Sequence, residues 1–402
     1  MNNIFKYSRY VLKKSTQFNY IRTFSIKPTE YPENPNFSSG PCKKRPGWNA
    51  LNLNNNTTGR SHRSNVCKSK ISEALSKTRH ILGIPDDYLI GIVPASDTGA
   101  YEMALWTMIG NKPVDVCYWE SFGQTWYKDI KEQLKIEHIR EFSAPYGELP
   151  DLNETSPTHD IVFTYNGTTS GVCVPNLDWV SDNRSGLTFN DATSAVFAMD
   201  IDWSKSDVTT YSWQKVLGGE GSHGMIILSP RAVERLETFT PDRPLPKIFR
   251  LTKKVNGKTE INRGIFKGNT INTPSMLCIE DYIDALNWVE SIGGLDSIIS
   301  RSRDNLEVIE QFCEKYSWIQ FLANDKINRS NTSVCLTLDL TKVQINSMVE
   351  LLEKEKVAFD INSYRDSPPG IRIWCGATVE KNDILILTKW IEWAYNIAKL
   401  GK

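Results

Sequence analysis

The 402-residue sequence predicts an α/β fold, with a large domain built on a mostly parallel sheet covered by helices and a smaller C-terminal α/β domain. Three observations predict it. Short β-rich apolar runs alternate with segments of helical period between Leu89 and Leu228, the pattern of a parallel sheet covered on both faces. Polar residues and glycines cluster just past the ends of those runs, where open α/β sheets bind their ligands. Beyond Asn272 a second mixture of helical and strand-like segments follows.

In order, Leu89 to Pro94 (LIGIVP) reads as a strand, Thr98 to Ile109 as a helix and Val114 to Trp119 as a strand. Glu132 to Ile139 has helical spacing, and Asp160 to Tyr165 (DIVFTY) is a short apolar run. Leu187 to Phe189 leads into Asp191, Val208 to Trp213 leads into Lys215, and Met225 to Leu228 follows a glycine-rich loop. Ser275 to Ser291 is a helix ended by Gly293 and Gly294, and Leu295 to Tyr316 is another. Then come a strand from Thr332 to Leu338, a helix from Gln344 to Glu355, a strand from Ile371 to Cys375 and an amphipathic helix from Lys381 to Ala398. These elements divide into a large domain over 57–285 and a small one over 286–402, preceded by an irregular Pro/Asn/Ser-rich arm over 25–56.

Residues 1–24 differ in composition. Lys6, Arg9, Lys13, Lys14, Arg22 and Lys27 precede Glu30 with no acid among them, which predicts an organellar presequence. Arg22-Thr23-Phe24-Ser25 resembles a mitochondrial processing site, with cleavage after Phe24 and a matrix location; the cytoplasm is the alternative.

Balanced charge, 47 basic against 47 acidic residues, argues against nucleic acid as the partner. No apolar run approaches membrane-spanning length. Eight scattered cysteines without a C-x-x-C pair predict free thiols, not zinc or disulfides, and no metal is expected.

The chemistry centres on SWQKVLGGEGSHG. Lys215 stands between a buried strand and four glycines, where a desolvated amine attacks carbonyls readily. The glycines follow the lysine and G-x-x-x-x-G-K-[ST] is absent, so a nucleotide loop is excluded. If Lys215 holds pyridoxal phosphate, the ring nitrogen needs a carboxylate, and Asp191 ends the preceding strand. The phosphate needs a helix N-terminus, offered at Ser96-Asp97-Thr98-Gly99, and the ring face needs a stacking partner such as Phe122. Arg372 in an apolar strand, Arg365, and His62-Arg63 are matched to a small, multiply anionic substrate.

The ordered set FSSGP, GRSHRS, PASDTGA, NGTTSG, DATSA, SWQKVLGGEGSHG, PLPKIF, NTPS and GIRIW resembles the phosphoserine aminotransferases, class V aminotransferases of the PLP-dependent fold type I, from about Pro35 to Glu380. The resemblance implies that Lys215 bonds the cofactor, Asp191 pairs with its ring nitrogen, Thr168 sits by its phenolic oxygen and Phe122 stacks on it. It implies phosphate contacts from Gln214 and from Asn272 and Thr273 of a neighbouring subunit in a homodimer. Arg372 would hold the substrate α-carboxylate; His62, Arg63 and Arg365 would hold its phosphate or distal carboxylate. The implied substrates are L-glutamate and 3-phosphohydroxypyruvate, with 4-phosphohydroxythreonine as a longer candidate substrate. Alternatives are another class V enzyme, such as a serine–pyruvate or alanine–glyoxylate aminotransferase, and an inactive binding protein on the same fold. Asp97-Thr98 departs from the glycine-arginine of many members, and Asp97 is expected to face away from the phosphate and cap the helix. The run Lys43-Lys44-Arg45 is expected to be a solvated loop, with compensating charge for the phosphate as the other possibility.

Overall fold

The computed structural model describes residues 26–401. The presequence expected over 1–24 lies outside them. In chain order the large domain contains α1 (Asn65–Leu82), β1 (Leu89–Pro94), α2 (Ser96–Met108), β2 (Val114–Tyr118), α3 (Ser121–Lys128), β3 (Ile139–Ser143) and β4 (Asp160–Thr164). A small hairpin of β5 (Asn166–Gly167) and β6 (Val172–Cys173) follows, then β7 (Thr188–Asp191), β8 (Val208–Ser212), β9 (His223–Leu228) and α4 (Pro230–Thr238). A ribbon of β10 (Thr252–Val255) and β11 (Lys258–Ile261) leads to α5 (Met276–Ser291), which packs along α1. Last come α6 (Leu295–Lys315), β12 (Ile319–Phe321), β13 (Ser333–Leu338), α7 (Lys342–Lys354), β14 (Ile371–Trp374) and α8 (Lys381–Lys399).

The large sheet has the order β1-β9-β8-β7-β4-β2-β3, and only β9 runs against the rest. Its reversal follows from the chain between Ser212 and His223, which holds no helix and is too short for the crossover of about a dozen residues that parallel neighbours need. Alternation along each strand feeds two apolar layers. Met225 and Ile227 of β9 join Ile90, Ile92 and Phe163 on one face, whereas Ile226 and Leu228 join Val114, Val116 and Phe189 on the other. With both faces covered, β4, β7, β8 and β9 are buried throughout, which is why they read as continuous apolar or hydroxyl runs.

The helix expected over Glu132 to Ile139 is not formed. A single π-helical stretch (Asp129–Gln133) extends α3; Lys135 then takes a left-handed φ of 53°, which ends helical growth, and Ile139 begins the edge strand β3. In the smaller unit, β12, β13 and β14 form an antiparallel sheet, and α8 packs on α6 and α7. The arm is bound to this unit. Phe37 is fully buried, its carbonyl accepts from Trp374 N (3.0 Å), and Pro35 O accepts from Phe359 N (2.9 Å). Residue 285 lies within α5, which spans the division expected there.

Candidate active site

The carboxyl edge of the large sheet opens into a cavity of about 170 Å³. Strand ends deliver its walls: Ser96, Asp97 and Thr98 after β1; Phe122 and Trp126 after β2; Thr164, Asn166 and Thr168 around the end of β4; Asp191, Thr193 and Ser194 at β7; Gln214 and Lys215 after β8. Lys215, Asp191, Thr168, Gln214, Phe122, Asp97 and Thr98, scattered over more than a hundred residues, therefore meet in one place.

The Lys215 ammonium donates to the Ser39 carbonyl. Burial pushes its pKa below the ordinary lysine value; Cys42 opposes that shift and the Arg372 charge adds to it. Room for the side chain comes from Gly40, where a Cβ would stand 2.5 Å from Nζ. On the adjacent strand, Asp191 Oδ2 accepts from Trp126 Nε1 (3.0 Å) and Oδ1 from Thr193 N (3.2 Å), so its carboxylate is fixed in orientation.

Asp97 does not cap α2, as the sequence suggested it would. The N-cap is Ala95, which offers no side-chain bond, and the left-handed pair Ala95 (φ 70°) and Ser96 (φ 55°) turns the chain so that Asp97 faces the sheet end. Asp97 is 7 % exposed, its neighbours there are Thr210, Asp191 and Thr193, and its Oδ1 has no partner. Burial first, and then the charge of Asp191, hold its carboxyl well above the usual range. The first turn of α2 is consequently left without a side-chain cap, and Thr98 is exposed there.

The basic run is likewise neither solvated nor a phosphate grip. Lys43 meets Asp383 at 3.0 Å in a pair that is 7 % and 2 % exposed. Lys44 meets Asp281 at 2.8 Å, and Arg45 forks onto Asp284 at 2.7 and 2.8 Å. Asp281 and Asp284 lie one turn apart on α5, so the run fastens the arm to α5 and α8 across the lysine loop.

Other predicted residues stand apart from the cavity wall. His62 and Arg63 precede α1 and Asn272 and Thr273 precede α5; all but the partly covered His62 are exposed. Arg365 is 80 % exposed beside Asp366 (3.5 Å). Arg372 projects from β14 opposite Cys335, with its Nε unpartnered. Several residues escaped the sequence reading: Trp126, Thr164, Asn166, Thr193 and Ser194 on the cavity wall, and Tyr364 beside Phe122. Trp126 lies one turn beyond Phe122 on the same helical face, a spacing visible in WESFGQTW. Tyr364, whose ring centroid is 5.4 Å from that of Phe122, carries no local signal.

Asp97 Oδ1, Thr193 Oγ1 and Gln214 Oε1 on the cavity wall, and Thr210 Oγ1 beside Asp97, are buried polar atoms without protein partners. Such atoms are normally satisfied, so their clustering fits a site made for a polar ligand. An amine, an opposed carboxylate, an aromatic face, hydroxyls and an uncapped helix start suit pyridoxal phosphate.

No family model matches the chain. A phosphoserine aminotransferase of Methanosarcina barkeri is 60% identical over 374 residues, which cover 93% of this chain and 100% of the relative; one of Methanosarcina mazei is 59% identical over the same shares. Among solved structures, a phosphoserine aminotransferase from Cytophaga hutchinsonii shares the fold with a TM-score of 0.77 at 21% identity, over 89% of this chain and 98% of the other. The mitochondrial location expected from residues 1–24 is corrected by the Methanosarcina relatives, which come from archaea, organisms without mitochondria. With identity that high over a relative's full length, and with the fold to match, this chain belongs to the phosphoserine aminotransferases, transaminases that work with pyridoxal phosphate.

Proposed function

We propose that the chain exchanges an amino group between L-glutamate and 3-phosphohydroxypyruvate, yielding O-phospho-L-serine and 2-oxoglutarate. The observation that carries this reading is a desolvated Lys215 and an oriented Asp191 on neighbouring strand ends of one cavity. Bound there, pyridoxal phosphate supplies an electron sink for the pair left when the substrate Cα loses its proton. Lys215 Nζ takes that proton and later returns it, a role suited to a lysine of lowered pKa. Asp191, held by Trp126 and Thr193, would accept a hydrogen bond from the ring N–H and so keep that nitrogen protonated. Phe122 would cover the ring, Thr168 would donate toward its phenolic oxygen, and Gln214, Thr98 and the uncapped start of α2 would hold the phosphate.

Arg372 takes the substrate α-carboxylate as a bidentate partner and thereby aligns the Cα–H bond. Arg365, His62 and Arg63 hold the substrate's second anion. Exposed Asn272 and Thr273 complete the cofactor phosphate site of a second copy, which makes the working unit a homodimer. In this reading the large domain (57–285) carries the cofactor and the smaller one (286–402) carries Arg365 and Arg372.

The test is a single half-reaction. Purified, cofactor-loaded protein is mixed with O-phospho-L-serine, L-serine or L-alanine, and the cofactor absorbance is followed. Conversion is expected with O-phospho-L-serine at concentrations where the other two barely react. Faster conversion with alanine than with O-phospho-L-serine refutes the assignment.

A further inference from the structure

We propose that Tyr364 is a positioning residue that sets substrate preference: its ring holds the Arg372 and Arg365 guanidinium groups at a fixed spacing beside Phe122, so that the site favours substrates with two anionic groups. This rests on the reading of Arg372 and Arg365 given above.

Arg372 has an unusual environment. Its Nε is buried without a partner, and among the described residues no carboxylate pairs with it. Two thiols lie near it. Cys335 lies opposite it in register on β13, and Cys42 is close enough to feel its charge. Burial raises both thiols to about 12, so neither supplies an anion. Arg372 is only half-buried, but a guanidinium with one face closed off from water and no carboxylate beside it gains from any other group that attracts its charge.

The Tyr364 ring is such a group. Its centroid is 5.8 Å from Arg372 Cζ, 5.6 Å from Arg365 Cζ and 5.4 Å from the Phe122 ring, tilted 42° to it. One electron-rich ring thus attracts both cations and rests on the residue that covers the cofactor. The loop that carries the ring is itself held. Tyr364 O accepts from Ser367 N (2.9 Å), Ser367 Oγ donates to Thr169 O (2.9 Å), and Arg372 N donates to Ile361 O (2.8 Å). The loop is therefore pinned to the β5–β6 turn that carries Thr168 and to the start of β14. Arg365 is otherwise a solvated side chain, so the ring restricts where its charge can go. A substrate with a carboxylate at one end and a phosphate or carboxylate at the other meets both guanidinium groups; one with a single carboxylate uses Arg372 alone.

The experiment compares Tyr364→Phe, which keeps the ring, with Tyr364→Leu, which removes it, both as cofactor-loaded protein. Equilibrium titrations with 2-oxoglutarate and pyruvate, and half-reaction constants for O-phospho-L-serine, L-glutamate and L-alanine, are measured for each. A cation–ring contact at a partly exposed site is worth roughly 2–5-fold in an equilibrium constant. Tyr364→Leu is therefore expected to weaken the dianionic ligands about tenfold and the monoanionic ones about threefold, with Tyr364→Phe within about twofold of wild type. Equal losses for both ligand classes, or a phenylalanine variant as impaired as the leucine one, overturn the proposal. Wild-type protein that ignores O-phospho-L-serine overturns the assigned reaction instead, and the pairs 2-oxoglutarate/pyruvate and glutamate/alanine still decide the role of Tyr364.

Discussion

Gly40 offers a direct test of how the lysine is housed. A Cβ at this position would lie 2.5 Å from Lys215 Nζ, 3.0 Å from Cε and 3.3 Å from Cδ. Non-bonded heavy atoms settle at about 3.5–4.0 Å, so Gly40→Ala displaces the amine by about 1 Å. The clash falls on the far end of a flexible side chain, so the lysine yields and the fold survives. Misplacing a catalytic group by about 1 Å costs on the order of 100-fold in rate. The φ of +146° adds a strain of about 1–3 kcal/mol for alanine. Gly59→Ala separates the two effects: Gly59 also has a positive φ (+73°) but nothing within 4 Å of the added Cβ. Expected for Gly40→Ala are a cooperative thermal melt, a kcat lowered about 100-fold and a KM for glutamate changed little, whereas Gly59→Ala keeps normal turnover. Turnover by Gly40→Ala within about threefold of wild type would show that the Lys215 position is not set by this contact, and the reasoning fails.

Three further outcomes follow from buried charge. Burial holds His223 at about 4, and its Nε2 accepts from Ser275 N, the N-cap of α5, at 3.2 Å. The folded pKa lies below the unfolded value near 6.5, so this stability is present above pH 6.5 and is lost as pH falls to 4, by about 3 kcal/mol; urea midpoints at several pH values should show it, and His223→Gln should flatten the curve. Asp97 behaves oppositely. Its raised pKa means the folded state keeps a proton that the unfolded chain releases, so stability present below the ordinary carboxylate pKa is lost as pH rises, at up to about 1.4 kcal/mol per pH unit until the folded group ionises. Asp97→Asn should therefore melt higher than wild type at pH 7, with the gain shrinking toward pH 4 in calorimetric scans. Finally, Arg235 forks onto fully buried Asp160 at 2.8 and 3.1 Å; Arg235→Met strands that carboxylate and should cost about 3–5 kcal/mol in chemical unfolding, partly recovered by adding Asp160→Asn.

The elements legible in the sequence were those whose environment is uniform along the chain. Strands β1, β4, β8 and β9 are buried on both faces, and a continuous apolar or hydroxyl run has few other uses. β3 is different. As an edge strand it alternates only weakly, with Arg140 turned out to pair with Asp115 of β2, and its polar residues blend with the upstream helical spacing. α3 was missed because Ser121, Phe122 and Gly123 open it; its start is set by Glu120 accepting from Gly123 N, a cap that only a known helix makes visible. α1, by contrast, carried a complete signal that went unused: Ser64 as cap, Ile71, Leu75, Thr78 and Leu82 on one face, and Gly83 in the left-handed conformation at its end.

The same distinction explains the site. Lys215, Asp191 and Asp97 could be named because a position just past a strand end is a local property. What each charge meets is not. Asp97 and Asp191 are 94 residues apart, and Lys43 lies 340 residues from Asp383, so no window along the chain shows that one pair is opposed and the other bonded. Composition then favours the wrong outcome in both cases, because most charged side chains are solvated or cap helices. A chain with zero formal net charge conceals this well: its basic run is balanced by buried acids on α5 and α8, while Arg372 is left without one. In the proposed reading, an arginine with no carboxylate partner, near a lysine whose pKa burial lowers, would gain most when a small anion arrives with its amino group.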